Sequence, residues 1–261
     1  MSKLLVLPDI HGRKFWEEPC KHIDNYDKVI FLGDYLDPYG FESISVETAM
    51  DNFQNIIDFK RKNNDKVVLL LGNHDMPYFS TDYFNFSSYH CRHSSMYHRE
   101  ISNKFAENKD LFHISFVYED ILFTHAGVES GWLYKVVHCE ETDINKISDT
   151  LNSLLDDKEG MKKLFCITEN RGGRSRYGSC IWSDVHDMMW DTDKIKNALA
   201  IVFPIHKIKQ VFGHTLQAFY DLNRNIAYGD ALEFGNRKMI DTADAYELNV
   251  DDFTINKCLT T

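Results

Sequence analysis

What this 261-residue chain lacks narrows the field before any motif is considered. No stretch approaches the roughly 18 consecutive apolar residues that a membrane-crossing helix needs. The N-terminal apolar run, Leu4-Leu5-Val6-Leu7, stops at Pro8-Asp9; it is too short for a secretory signal, and no small-residue cleavage site follows it. Five prolines and 13 glycines leave little room for a disordered linker. The six cysteines, Cys20, Cys91, Cys139, Cys166, Cys180 and Cys258, form no Cys-x-x-Cys pair. They read as reduced thiols, and the expected location is the cytoplasm.

A surplus of positive charge is also missing. Lys and Arg number 29 against 40 Asp and Glu, a net charge of −11. That balance opposes strong nucleic-acid binding, which depends on clustered cations at phosphates. It does not oppose a phosphorylated substrate, because bound divalent ions would reverse the field locally. Nothing in the sequence specifies an oligomeric state.

What is present begins with a rhythm. Three apolar runs, at 3–7, 28–32 and 66–71, are each followed by a polar loop rich in Asp and His. Their Val/Ile/Leu content on both faces predicts strands buried in a sheet covered on both sides. Helices are predicted near 14–24 and over 46–62, the second with an apolar stripe and a basic end suited to a helix C-terminus. This order implies a parallel α/β arrangement.

Farther on, a helix is predicted over 96–108 and strands near 112–118 and 121–124. Short strands follow at 209–212, 225–227, 237–240 and 245–250. Residues 129–200 read as a helical and loop-rich elaboration beside the site, within one domain spanning 1–261.

Five loops carry the chemistry: Asp9-Ile10-His11, Gly33-Asp34-Tyr35-Leu36-Asp37, Gly72-Asn73-His74-Asp75, Thr124-His125-Ala126-Gly127 and Gly213-His214-Thr215. Each directly follows a predicted strand, and in open α/β sheets ligands gather at the carboxyl ends of strands. Each offers Asp, Asn or His, and four hold a glycine that lets backbone approach closely. One Asp-x-His tripeptide is an ordinary turn; five such loops in order point to a metal site.

The pattern resembles the calcineurin-like metallophosphoesterase superfamily (DxH, GDxxD, GNH[DE], a later His and a final GH), with motifs spanning residues 9 to 215. Within it the chain is most similar to bacterial and phage phosphoprotein phosphatases and diadenosine tetraphosphatases. The resemblance implies an α/β sandwich of mixed β-sheets flanked by helices, and two divalent metal ions, Mn²⁺ foremost, with Fe or Zn as alternatives. It implies that Asp9, His11 and Asp34 hold the first metal. Asp34 then bridges to a second completed by Asn73, His125 and His214. His74 becomes the general acid, oriented by Asp37, with metal-activated water attacking phosphorus in line. Asp75 is expected to support the site from behind.

Two departures matter. The GDxxD motif of protein phosphatases continues with Arg-Gly, whereas here Pro38-Tyr39-Gly40 follows, so a phosphate clamp is missing. Arg171, Arg174 and Arg176, ahead of Ile181-Trp182-Ser183-Asp184, are the candidate substitutes, with solvated loop charges as the plain alternative. Position 216 is Leu, where diesterases and nucleases of the superfamily place a second His; this favours phosphomonoester hydrolysis. Hydrolysis of dinucleoside polyphosphates, nucleotides or phosphodiesters is the alternative, and a non-catalytic metal-binding scaffold the third reading. His90, His93 and His98 suit no paired metal motif and read as surface or loop, as do His138 and His206.

Overall fold

Alternate residues of the first strands serve two different cores, and this divides the molecule into layers. The computed structural model describes residues 2–87, 90–196, 204–215, 232–234, 236–241 and 244–258. Strands β1 (Lys3–Leu7), β2 (Lys28–Phe31) and β3 (Val67–Leu70) run parallel, with Val6 beside Ile30 and Ile30 beside Val68. Leu5, Leu7, Val29, Phe31, Val67 and Leu69 point into a helix-covered core; Leu4, Val6, Ile30, Val68 and Leu70 point into a second core between the sheets. The two-residue side-chain period of a strand makes this partition unavoidable. Each fully buried Leu contributes about 1.5–3 kcal/mol through removal of apolar surface from water.

The remaining strands are β4 (Phe112–His113), β5 (Ser115–Tyr118), β6 (Ile121–Thr124), β7 (Lys209–Phe212), β8 (Leu232–Phe234), β9 (Arg237–Met239), β10 (Tyr246–Asn249) and β11 (Thr254–Lys257). They complete a first sheet of order β11-β10-β1-β2-β3-β4 and a second of order β5-β6-β7-β9-β8. Both are mixed: β10 is antiparallel to β1, and β5 to β6, whereas β7 lies parallel to both β6 and β9. The strand expected over 112–118 is in fact two strands in two sheets, broken at Ile114. Asn152 satisfies the break: its Oδ1 accepts the Ile114 and Ser115 N–H groups at 2.8 and 3.1 Å. The strand expected at 225–227 lies outside the described residues.

Helices α1 (Glu17–Cys20), α2 (Val46–Lys62), α3 (Met76–Phe79), α4 (Thr81–Ser87) and α5 (His98–Glu107) accompany the first sheet. Ser45 caps α2 by accepting the Thr48 N–H at 3.1 Å, and Lys60, Arg61 and Lys62 occupy its last turn. Ala49, Phe53, Ile56 and Ile57 form its buried face, and the Phe53 ring stacks on Tyr35 with centroids 5.2 Å apart. The helix expected over 14–24 is realised only as α1 and a 3₁₀ turn, Ile23–Asn25.

Between β6 and β7 lie α6 (Ser130–Trp132), a π-helical turn Leu133–Val137, α7 (Ile144–Ser153), α8 (Lys158–Leu164) and α9 (Val185–Lys196). Trp132, Ile147, Leu151, Leu164 and Ile181 join the same hydrophobic cluster as Phe53 and Phe105. Among the described residues no helix is long and apolar enough to cross a membrane. All six cysteines are free thiols.

Candidate metal centre

The parallel strands β1, β2, β3, β6 and β7 end along one edge of the sandwich, and the five motif loops meet there. The loops are stitched together by backbone. His11 N–H donates to the Asp34 carbonyl at 2.6 Å and Gly12 N–H to that of Tyr35 at 2.9 Å. From the second sheet, Gly213 N–H donates to the His125 carbonyl at 2.9 Å. The sheets are joined across the site by His125 Nδ1 on the Leu32 carbonyl, 2.9 Å, and by His214 N–H on Asp9 Oδ1, 3.1 Å.

Four non-glycine residues of this edge hold left-handed backbone: His11 (φ 45°), Asp34 (φ 54°), Asp37 (φ 57°) and His214 (φ 70°). Each such conformation is unfavourable for a residue with a Cβ, and the surrounding hydrogen bonds maintain it. Space is equally constrained at Gly72, where a Cβ would lie 2.1 Å from Asp34 Oδ1. A side chain there would displace the central carboxylate.

Asp34 is the centre. Its Oδ2 lies 3.6 Å from His11 Nε2 and 3.5 Å from His125 Nε2, and its Oδ1 accepts the His74 N–H at 2.8 Å. Two groups offer ligand atoms close enough to share a cation: His11, Asp34 and His74, and Asp34, His125 and His214. Asp34 belongs to both, as a bridging carboxylate would. Asp9 is buried beneath them, with Oδ1 taken by the His214 N–H.

The donor set itself calls for cations. His11 Nδ1 donates to the Leu36 carbonyl at 2.8 Å and His125 Nδ1 to that of Leu32, so both rings present a lone pair on Nε2. The His125 lone pair faces Asn73 Oδ1 at 3.0 Å and Asp34 Oδ2 at 3.5 Å, both acceptors, with His214 Nδ1 at 3.0 Å. Acceptor atoms packed this closely repel one another unless positive charge lies among them. The buried Nε2 of His214 has no hydrogen-bond partner. Carboxylate, amide and imidazole donors suit Mn²⁺, Fe or Zn²⁺.

Electrostatics separate the histidines. At His11 and His214 burial holds both rings well below the ordinary imidazole pKa, outweighing the opposing pull of Asp34 at His11 and reinforced by Arg171 at His214. Neutral imidazole is the form that binds metal. His74 moves the other way: burial disfavours its imidazolium, but Asp34 and Asp37 outweigh burial and the net shift is upward. His74 Nδ1 lies 3.2 Å from Asp37 Oδ2, and Tyr78 donates to Asp37 Oδ1 at 2.6 Å. The pair therefore leaves His74 Nε2 available for chemistry. At Asp34 burial alone would raise the pKa, but His125, His74 and His11 bring it down; at Asp9 burial prevails over His125 and the pKa rises.

The arginine segment divides. Arg171 Nε lies 2.8 Å from Asp184 Oδ2, and its Nη2 donates to Thr215 Oγ1 beside His214. Arg174 and Arg176 are exposed, and Arg176 rests near the Tyr177 ring. Trp182 is buried with its ring edge toward His214, centroids 5.9 Å apart, and its indole N–H donates to Tyr83.

Sequence reasoning missed the segment 90–94. Arg92 Nε and Nη2 both donate to the Asp37 carbonyl at 3.2 Å. Cys91 Sγ donates to the Asn73 carbonyl at 3.3 Å and accepts from its amide Nδ2 at 3.7 Å. Of the histidines read as surface or loop, His93 stacks on Tyr78 with centroids 5.1 Å apart, and the His98 ring lies tilted beside it at 5.5 Å. Arg92 belongs to no motif, and only the fold brings it to the Asp37 carbonyl.

Comparison with known proteins agrees with this architecture. A structure of a cold-active protein tyrosine phosphatase superposes with a TM-score of 0.55 at 15% identity, covering 98% of this chain and 78% of that one. A protein serine/threonine phosphatase from Saccharomyces cerevisiae gives 0.53 at 14% identity, covering 100% of this chain and 80% of that one. At such identities the likeness concerns the fold. No curated protein matches by sequence. The family model described as calcineurin-like phosphoesterase matches residues 2–218, and with its ligand-bearing loops gathered at one sheet edge, the chain belongs to that family of hydrolases acting on phosphate esters.

Proposed function

We propose that the chain is a metal-dependent phosphomonoesterase acting on phosphoprotein or small phosphate esters. The observation that carries the proposal is the division of labour around Asp34. His11 and His125, each with Nδ1 on a backbone carbonyl, turn Nε2 toward Asp34 Oδ2 at 3.6 and 3.5 Å, while the His74 ring, packed beside His11, has its Nδ1 on Asp37. Asp9, His11 and Asp34 would hold one metal, and Asp34, Asn73, His125 and His214 a second. When bound, the metals supply Lewis-acid polarisation of the phosphoryl oxygens and make water a nucleophile near neutral pH.

The protein's own part is orientation and proton transfer. Asp37 fixes the His74 ring and favours its protonated form, so that Nε2 gives its proton to the departing ester oxygen as the P–O bond breaks. The left-handed turns at His11, Asp34 and His214 aim these side chains inward from loops, and Asp75 braces the Asp34 backbone. Manganese is the proposed metal, and the free cysteines suit a reducing compartment such as the cytoplasm.

Hydrolysis of p-nitrophenyl phosphate beside bis-p-nitrophenyl phosphate, in metal-free buffer and with Mn²⁺, tests this reading. Mn²⁺-dependent cleavage of the monoester is the expected outcome. Preference for the diester would move the chain to phosphodiester hydrolysis. Activity confined to dinucleoside polyphosphates would identify an anhydride hydrolase, and silence on every substrate with metal bound would identify a scaffold.

A further inference from the structure

Segment 90–94 lies outside every motif, yet it ties together all three loops of the first sheet. Cys91 grips Asn73 of the third loop. Ser94 N–H donates to the Tyr78 hydroxyl at 2.8 Å, and that hydroxyl donates to Asp37. Between them, the Arg92 guanidinium carbon sits 3.7 Å from the centroid of the Tyr39 ring. Its Nη2 approaches His11 Nδ1 at 3.5 Å. Tyr39 is itself packed against the His11 imidazole, centroids 5.0 Å apart.

The charge of Arg92 is not spent within the protein. Arg13 is paired with Glu42 at 2.6 Å and Arg171 with Asp184 at 2.8 Å. Among the described residues no carboxylate pairs with Arg92. A guanidinium that stacks on an aromatic face and anchors two N–H groups on one carbonyl is held in place while keeping its full charge. Pro38, which follows Asp37 directly, cannot supply a cation there; Arg92 reaches the Asp37 carbonyl from a residue 55 positions away.

We propose that Arg92, seated on Tyr39, reads the second negative charge of the substrate and so selects phosphate monoesters over diesters. The proposal rests on the phosphomonoesterase reading of the metal site. A monoester offers a terminal oxygen with charge to spare for a charge-assisted hydrogen bond; in a diester that oxygen is esterified and the net charge is lower. A lysine would keep the charge but lose the planar stack on Tyr39.

The experiment compares wild type, Arg92→Ala and Arg92→Lys, each with metal content measured and an unaltered circular-dichroism spectrum required. Two readouts are taken: kcat/KM on p-nitrophenyl phosphate and its bis ester, and calorimetric binding of inorganic phosphate to the Mn²⁺-loaded protein. Arg92→Ala should lose roughly ten- to hundredfold on the monoester and in phosphate affinity, as loss of a charged hydrogen bond implies. Diester cleavage should stay within about threefold of wild type, and Arg92→Lys should recover only part of the loss. Equal losses on both esters, or unchanged phosphate affinity, would overturn the role of Arg92, and so would a wild type that binds no phosphate. If the wild type binds phosphate through Arg92 but cleaves no monoester, the monoesterase reading fails and the anion site stands.

Discussion

Asp75 stands directly behind Asp34, its Oδ2 accepting the Asp34 N–H at 2.6 Å. The same carboxylate takes the Gly72 N–H at 2.8 Å and the Tyr35 N–H at 2.9 Å. A fully buried carboxylate with three backbone donors holds the second and third loops in register and keeps Asp34 in its left-handed turn. In Asp75→Asn one oxygen becomes an amide nitrogen that cannot accept, leaving at least one N–H unpaired. Chemical denaturation of the metal-free variant should show a loss of about 1–3 kcal/mol. Metal titration should show affinity roughly ten- to hundredfold weaker. Unchanged values in both would remove Asp75 from the supporting role.

Asp34→Asn should abolish activity and reduce metal occupancy, because one amide oxygen cannot serve both histidine-bearing groups. Elemental analysis after dialysis checks the occupancy. An active, fully loaded variant would refute the bridging position.

At Gly72 the constraint is steric. The added methyl of Gly72→Ala would meet Asp34 Oδ1 at 2.1 Å and Asp34 N at 2.7 Å. Overpacking of this kind costs about 1–3 kcal/mol, and here the atom displaced belongs to the carboxylate shared by both candidate metal-binding groups. Weakened metal binding with an intact far-ultraviolet spectrum is expected; wild-type affinity would mean that the loops tolerate the shift.

The His74–Asp37 pair predicts a dependence on leaving group. His74→Asn should slow alkyl phosphates by roughly 10²–10⁴, and p-nitrophenyl phosphate far less, because p-nitrophenolate departs without a proton. Asp37→Asn and Tyr78→Phe should show the same trend more weakly. Equal losses across leaving groups would assign His74 to metal binding, which its closeness to His11 and Asp34 permits.

Among the three arginines of residues 171–176, only Arg171 is tied to the site. Arg171→Ala releases Asp184 and Thr215 and should raise KM or lower turnover. Arg174→Ala and Arg176→Ala, exposed, should leave stability within about 0.5 kcal/mol and kinetics near wild type. A large effect at either position, with none at 171, would reverse the assignment.

The motif loops were legible because their information is local. Apolar runs at 3–7, 28–32 and 66–71 mark strands, and the Asp, Asn, His and Gly that follow need only the strand ends to be brought together. Helix α2 was legible for the same reason, with an apolar stripe and a basic last turn. The split at Ile114 was not, because Phe112 through Tyr118 reads as one strand; the side chain that satisfies the break, Asn152, lies 38 residues away.

By itself the sequence determined the order of strands and loops, the ligand types at each strand end, and hence the family. It did so because strand periodicity and turn chemistry act over a few residues. Tertiary structure decided which charges matter: that Arg92 rather than a residue beside Asp37 borders the site, that Arg171 alone of its segment reaches it, and that Asp75, expected from its motif to support the site, does so through the N–H groups of Asp34, Tyr35 and Gly72. Except at Gly72, those relations join residues 40 or more positions apart through single hydrogen bonds and ring contacts. A contact of that kind leaves no periodic trace in the chain, since it depends on where two loops meet after the sheets have packed.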